Sequence, residues 1–201
     1  MTTKFPDLYP YISELLTPTA MGKGPLNPLG VCVHYLADRD VKRAYRSLTD
    51  SKVLGYHVII DRAGKMYQTT YFNLRVNHAG EATWNGLSPN RNFVAVALAS
   101  WGLLSDDGKS WTGEMVKDTA KRSGNLSKNI QVWDPATLAQ ETELMKILSW
   151  FVFHGIDPKN VCGHDESALP KGRKSDPGGV LKRSMSEVRN LLELSKKQGI
   201  S

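Results

Sequence analysis

Two histidines and one aspartate in this 201-residue chain have the types and settings expected of a metal site. His34 and His164 each lie toward the end of a short apolar segment, GVCVHYL and NVCGH, and Asp176 follows His164 by twelve residues. Two histidines and a carboxylate are a typical ligand set for catalytic zinc, which keeps a fourth position open and lowers the pKa of water there toward about 7. The sequence therefore indicates a hydrolytic zinc centre, although spacing alone leaves other sites open.

The two cysteines of the chain offer a rival metal site. Cys32 and His34, like Cys162 and His164, are two residues apart, so a strand places each pair on one face. Together these four residues would make a closed Cys2His2 structural zinc site. Otherwise the cysteines are small buried residues, or they form a disulfide if their strands adjoin. The closed site leaves Asp176 without a role.

Two other histidines have settings that favour a structural role. His57 lies within a strand-like run, where a packed or hydrogen-bonded ring is expected. His154 lies in the last turn of a predicted helix, where the helix dipole favours a cationic ring. Neither is therefore predicted to bind metal.

Alternating strands and helices are predicted to position these groups. Runs rich in β-branched and aromatic residues predict strands at 30–36, 53–61, 65–70, 93–100 and 160–164. Helices are predicted after Asp38, after the pair Asp134-Pro135 and after a capping box at Ser184 and Glu187. This alternation predicts an α/β fold with a mixed central β-sheet flanked by helices and the zinc site at the sheet edge.

The whole chain, 1–201, is predicted to form a single domain. Its core should span about 28–195, preceded by an irregular, proline-punctuated segment at 1–27. An insertion at 101–133 is rich in Gly, Ser, Asp and Lys, has weak periodicity and contains three tryptophans. Two interpretations of the insertion remain open: a binding surface, because tryptophans can stack on sugar faces, or an exposed segment whose tryptophans pack back onto the core.

Five segments of the chain resemble a known enzyme family. VCVHYLAD, GYHVIIDRAGKMYQ, VNHAG, NFVAVAL and GHDESALPKGRKSDPGG occur in that order between about residues 30 and 180. They resemble zinc-dependent N-acetylmuramoyl-L-alanine amidases of the type-2 amidase and peptidoglycan recognition protein family. The pattern is closest to the amidase-type phage lysozymes (endolysins). The resemblance implies hydrolysis of the amide bond between N-acetylmuramic acid and L-alanine in bacterial peptidoglycan, and hence cell wall degradation.

The resemblance also implies roles for individual residues. His34, His164 and Asp176 would bind Zn²⁺ as the cofactor. Lys174 matches a lysine that stabilises the developing oxyanion, the alternative being a solvated cation in a basic loop. Tyr56 matches the tyrosine that orients or activates the attacking water in the phage-lysozyme branch, the alternative being a buried core residue.

Four further positions bear on the substrate cleft. Another branch of the family has a glutamate at the position of Ala97, and the absence of an acid there argues against the recycling-type amidases. His78 falls in the family's histidine-alanine-glycine segment, where it would either contact substrate or brace a loop. Asn77 and Trp84 are weaker candidates for substrate contact.

Composition and charge limit the binding partners and the cellular location that we expect for the chain. The formal net charge of +6 favours an anionic partner, and peptidoglycan fits, whereas no motif supports nucleic-acid binding. No apolar run approaches the roughly 20 residues of a membrane span, and no secretory signal is visible. We therefore expect a monomeric, bacteriolytic and hence antimicrobial endolysin, made in the host cytoplasm and acting on the wall after release. The alternatives are a non-catalytic peptidoglycan-binding module and an intracellular amidase that recycles muropeptides.

Overall fold

The computed structural model describes residues 5–16, 24–51, 55–126 and 129–198. The strands are β1 (Glu14–Leu15), β2 (Gly30–Tyr35), β3 (Val58–Ile60), β4 (Met66–Gln68), β5 (Phe93–Leu98), β6 (Ala120–Ser123), β7 (Ile130–Trp133) and β8 (Val161–Gly163). The helices are α1 (Val41–Ser51), α2 (Pro89–Asn92), α3 (Leu138–Phe153), α4 (His164–Ser167) and α5 (Met185–Gln198). Among the described residues, none of the helices combines the length and apolarity needed to cross a bilayer.

Six strands form one mixed sheet in the order β1-β4-β3-β5-β2-β8. The β3–β4 pair is antiparallel and the other neighbours are parallel. The predicted α/β class with a mixed central sheet is therefore confirmed. The first two residues of the predicted strand 53–61, residues 53 and 54, lie outside the described residues.

One face of the sheet carries the main apolar core. Val31 and Val33 of β2 point to this face together with the valines of β5, and α3 and α5 cover them with large aliphatic and aromatic side chains. Ile147, Phe151 and Leu192 are fully buried there. Each such side chain contributes about 1.5–3 kcal/mol on burial. Because successive side chains of β2 point to opposite faces of the sheet, this packing directs Cys32 and His34 to the other face.

The start of α3 differs from the prediction that Asp134-Pro135 would open it. Thr137 is the N-cap, and its side chain exchanges hydrogen bonds with Gln140 in a capping box. The carboxylate of Asp134 is fully buried and accepts two hydrogen bonds from Arg39, at 3.0 and 2.6 Å, and one from the Trp101 amide at 2.7 Å. It is therefore occupied by partners that are distant in sequence and is not available to cap the helix.

The described residues of the insertion, 101–126 and 129–133, are folded against the rest of the structure. The antiparallel pair β6–β7 lies in it, and Trp101 and Trp133 are buried. Trp133 packs directly on Gly178 and Gly179, where its ring occupies the space that a Cβ would need. The insertion therefore contacts the loop that follows Asp176.

The described part of the N-terminal segment also has regular structure. β1 pairs in parallel with β4 at the far edge of the sheet. Phe5 stacks on Phe151, and Tyr9 meets Trp150 edge to face. Residues 5–16 are thus attached to the sheet edge and to α3.

Candidate functional site

The carboxyl ends of two neighbouring parallel strands bring the two candidate histidine ligands together. β2 pairs with β8 so that Val33 lies opposite Gly163, and the next residues along the two strands are His34 and His164. Their ring centroids are 4.6 Å apart. His164 is the first residue of α4, whose Asp165 amide donates to the backbone carbonyl of Asp176 at 2.6 Å. This backbone contact draws the loop with the third candidate ligand toward the strand ends.

The three predicted ligands converge on one point. Nδ1 of His34 lies 2.8 Å and Nδ1 of His164 lies 2.9 Å from the same oxygen, Oδ2 of Asp176. All three side chains are buried, with exposed fractions of 0% for His34, 3% for His164 and 8% for Asp176. The structure therefore places three ligand atoms of the predicted zinc set within 4.8 Å of one another.

Neighbouring groups fix the tautomers of both histidines. Nε2 of His164 faces the carbonyl of Ala79 at 2.9 Å, so this nitrogen carries the proton. Nε2 of His78 faces the carbonyl of Pro89 at 3.2 Å, and its Nδ1 therefore accepts from Nε2–H of His34 at 2.9 Å. Nδ1 of each ligand histidine is thus left with a lone pair directed at Asp176.

These residues fit a zinc ion. In these neutral tautomers, two imidazole lone pairs and a carboxylate oxygen face one another with no hydrogen between them. A cation bound between the three atoms would accept all three electron pairs. Ligating histidines in proteins usually donate their other N–H to a carbonyl or another acceptor, as both do here. Three protein ligands with nitrogen and oxygen donors match a catalytic zinc set.

The closed Cys2His2 alternative is not assembled among the described residues. The candidate metal-binding groups found there are His34, His164 and Asp176, and a second group of Cys32, His34 and His78; neither unites both cysteines with both histidines. Cys32 and Cys162 are direct neighbours across β2 and β8, both are free thiols, and both pack on Phe93. Both cysteines are fully buried.

Burial and charge set the protonation of the cluster. Burial alone would raise the pKa of Asp176, but hydrogen bonds and positive charge from His164 and His34, in their imidazolium forms, outweigh it and hold that pKa well below its usual range. Burial lowers the pKa of His34 to about 4, and it also lowers the pKa of His78. Near neutral pH, Asp176 is therefore ionised and His34 is neutral, and these are the protonation states in which such groups bind metal.

Tyr56 lies beside the ligand cluster. Its ring centroid is 5.1 Å from that of His34, and the residue is half-buried. Burial, reinforced by the charge of Asp176, raises the pKa of the Tyr56 phenol well above its usual range. The phenol therefore remains protonated near neutral pH and is a hydrogen-bonding group rather than a base.

Lys174 is exposed, two residues before Asp176. Its positive charge is one of the influences that lower the pKa of His34, after burial and the charge of His164. Lys174 is thus a solvent-exposed cation whose charge acts on His34.

The other two predicted substrate contacts, Asn77 and Trp84, are not brought into the ligand cluster. Asn77 has an exposed side chain, and its backbone carbonyl accepts from the Gly55 amide at 2.9 Å. The indole N–H of Trp84 donates to the carbonyl of Lys159 at 2.8 Å, and the Arg189 guanidinium lies over its ring at 5.0 Å. Because Lys159 precedes β8, these contacts hold Trp84 toward the amino end of that strand, away from His164.

Sequence reasoning missed the residue that holds the 78–80 segment in place. Oδ1 of Asn90 accepts from the amides of His78 at 2.8 Å and Ala79 at 2.9 Å, and its Nδ2 donates to the carbonyl of Gly80 at 2.9 Å. Since His78 and the Ala79 carbonyl orient the rings of the two candidate histidine ligands, this one carboxamide supports the positions of both. An asparagine just after a proline is the only sequence signal, and it is also typical of ordinary turns.

Comparisons with solved structures show the same fold at low sequence identity. A selenomethionine derivative of AmpD matches with a TM-score of 0.56 and 18% identity, over 90% of this chain and 96% of that one. An endolysin amidase from Clostridium intestinale, LysCS, matches with a TM-score of 0.54 and 15% identity, over 91% and 97%. E. coli AmiD, solved with an anhydro-N-acetylmuramic acid peptide, matches with a TM-score of 0.56 and 22% identity; the match covers 81% of this chain but 57% of AmiD.

The family comparison is more specific than these fold matches. The comparison with curated proteins returns no significant match. The family model described as N-acetylmuramoyl-L-alanine amidase matches residues 24–179, which include all three predicted ligands, Tyr56 and Lys174. This match covers well over half of the chain and agrees with the order of the motifs and with the sheet. The chain therefore belongs to the N-acetylmuramoyl-L-alanine amidase family.

Proposed function

We propose that this chain cleaves the amide bond between N-acetylmuramic acid and L-alanine in peptidoglycan, with Zn²⁺ held by His34, His164 and Asp176. The observation that supports this proposal best is the convergence of both Nδ1 atoms on Oδ2 of Asp176. Membership of the amidase family gives the substrate class. A purely binding module has no need of such a ligand set, so catalysis is the better proposal.

In this proposal, different residues of the chain have separate roles around the scissile amide. When bound, zinc supplies Lewis acidity toward water and the amide carbonyl. The protonated phenol of Tyr56, beside His34, orients the attacking water by hydrogen bonding. The ammonium of Lys174 offsets negative charge that develops on the amide oxygen as the carbonyl becomes tetrahedral. His78 does not reach substrate in this proposal; it keeps His34 in the ligating tautomer.

The decisive experiment counts alanine amino termini that are newly exposed in purified peptidoglycan. Zinc-replete protein should expose them, and chelator or His34→Ala should abolish this activity. His154→Ala is the matched control, because that ring is hydrogen-bonded to the Trp150 carbonyl and lies against the Trp150 ring. New reducing sugar ends in place of alanine termini would identify a glycosidase and contradict the proposal.

The role of Lys174 is tested separately. Lys174→Ala should lower kcat by about 10²-fold, the scale of one lost electrostatic contact to a developing oxyanion, with zinc content unchanged. Lys171→Ala, which removes an exposed lysine of the same loop, is the control and should retain activity. An equal loss in both variants would indicate a general effect of loop charge.

For the biological setting, we propose a wall-lysing endolysin rather than a recycling amidase. Ala97 supports this choice, because it occupies the position of the glutamate in the recycling branch and lies opposite His34 in the sheet. Release from a host cytoplasm belongs to the same proposal. Intact bacterial sacculi and soluble muropeptides, offered in parallel, distinguish the two roles: a preference for the soluble fragments would favour recycling.

A further inference from the structure

The insertion 101–133 displays one tryptophan to solvent. Trp111 has 74% of its surface exposed, whereas Trp101 and Trp133 are buried. The indole N–H of Trp111 donates to the carbonyl of Ala37 at 2.8 Å. Because this N–H is the only polar group of an indole, the exposed surface of the ring is aromatic carbon.

A tight turn holds Trp111 in this exposed position. The Gly113 amide donates to the carbonyl of Ser110 at 2.9 Å, so Trp111 is the second residue of a four-residue turn. Gly113 has a φ of 85°, in the left-handed region that glycine adopts without strain. The ring also meets Trp101 edge to face, with centroids 6.4 Å apart. These contacts keep the tryptophan from collapsing onto the core.

The anchoring carbonyl lies next to the zinc-ligand strand. Ala37 is three residues after His34, so their Cα atoms are at most about 11 Å apart. On the same strand, the hydroxyl of Tyr35 is hydrogen-bonded to Oγ of Ser175 at 2.7 Å, beside Asp176. Trp111 is therefore held at the end of the sheet where His34 lies.

From this juxtaposition we propose that Trp111 is a stacking platform for a sugar of the peptidoglycan glycan strand, next to the residue whose amide is cleaved. The C–H face of a pyranose ring complements the electron-rich face of an indole. A polymeric glycan continues beyond the reacting muramic acid, so it has further sugars to place at this end of the sheet, whereas a one-sugar fragment has none. The proposal rests on the proposed amidase function and adds a dependence on glycan length.

The test compares two substrates across three variants. The substrates are purified polymeric peptidoglycan and a soluble N-acetylmuramoyl peptide with one sugar. Trp111→Ala should raise KM for the polymer by about three- to tenfold, the scale of one aromatic stacking contact, and leave kcat and the one-sugar kinetics unchanged. Trp111→Tyr should restore most of the loss. Leu138→Ala, which removes an 81% exposed apolar side chain on α3, is the matched control and should behave as wild type.

A direct binding measurement tests the glycan contact independently of catalysis. Tetra-N-acetylchitotetraose should quench tryptophan fluorescence of the wild type more than that of Trp111→Tyr. Equal losses on both substrates in Trp111→Ala, or an unchanged polymer KM, would overturn the proposal. If the wild type cleaves neither substrate, the proposed function fails, and the quenching experiment still decides whether Trp111 binds glycan.

Discussion

His78 gives the most informative test of the metal centre, because it is predicted to act on zinc without touching it. Its Nδ1 accepts from Nε2–H of His34 at 2.9 Å, which leaves Nδ1 of His34 free to bind metal. In His78→Leu the buried Nε2–H of His34 loses its acceptor. His34 then gains by placing its proton on Nδ1, beside the carboxylate of Asp176, where it blocks ligation.

The expected loss in zinc affinity is about 10- to 100-fold, the usual effect of removing a partner of a ligating histidine. It corresponds to about 1.4–2.7 kcal/mol of binding free energy. His78→Asn is the matched variant, since its side-chain oxygen can take the place of Nδ1 as acceptor while the contact to the Pro89 carbonyl is lost. It should therefore keep most of the affinity that His78→Leu loses.

Competition for zinc between the protein and a chromophoric chelator measures this affinity directly. Circular dichroism and denaturant unfolding of the metal-free variants show whether each is folded under the same conditions. Wild-type affinity in a folded His78→Leu would refute the tautomer argument. So would equal losses in the Leu and Asn variants, because the acceptor would then not be what matters.

Three further predictions concern residues around the site. Asn90→Ala should weaken zinc binding and also lower the free energy of unfolding by about 2–4 kcal/mol, since two buried amides lose their acceptor; chelator competition and urea unfolding measure the two effects. Asp134→Ala should cost about 3 kcal/mol in urea unfolding, because it leaves the partly exposed Arg39 without its buried partner. Burial lowers the pKa of His57 from 6.5 to about 4, so the unfolded chain binds the extra proton first and stability should fall as the pH drops from about 6.5 toward 4. This contribution is on the order of 3 kcal/mol over the whole range, of which about 2 kcal/mol falls between pH 7 and pH 5. Urea unfolding at these two pH values should show a smaller change in His57→Gln.

The candidate ligands could be selected from the sequence because their chemistry is tied to local pattern. His34 and His164 each end an apolar run, and parallel strands present such ends at one edge of a sheet. Asp176 was harder to place from local pattern, since it reaches the site through a loop and a backbone contact with Asp165. For Asp176, the family resemblance indicated the role of a metal ligand, which hydrophobic periodicity could not.

The residues that the sequence did not predict act through contacts between loops. Asn90 holds the 78–80 segment from the short helix α2, and no period links the two. Asp134 precedes a proline and so has the local pattern of a helix cap, but the guanidinium of Arg39, 95 residues away, binds its carboxylate. In both cases a tertiary partner decides the role of a residue whose local pattern is ordinary.

Strand β5 shows how the sequence encodes which face of the sheet carries the site. Val94, Val96 and Leu98 alternate with Ala95, Ala97 and Ala99, and all six residues are fully buried. The large side chains face the core formed with α3 and α5, so the alanines must face the other side, next to His34 and Tyr56. Alanines there leave volume for imidazole and phenol rings, which a row of valines would fill. A buried strand with large residues on one face and alanines on the other is therefore evidence for a site on the alanine face, and here that evidence does not depend on the histidines.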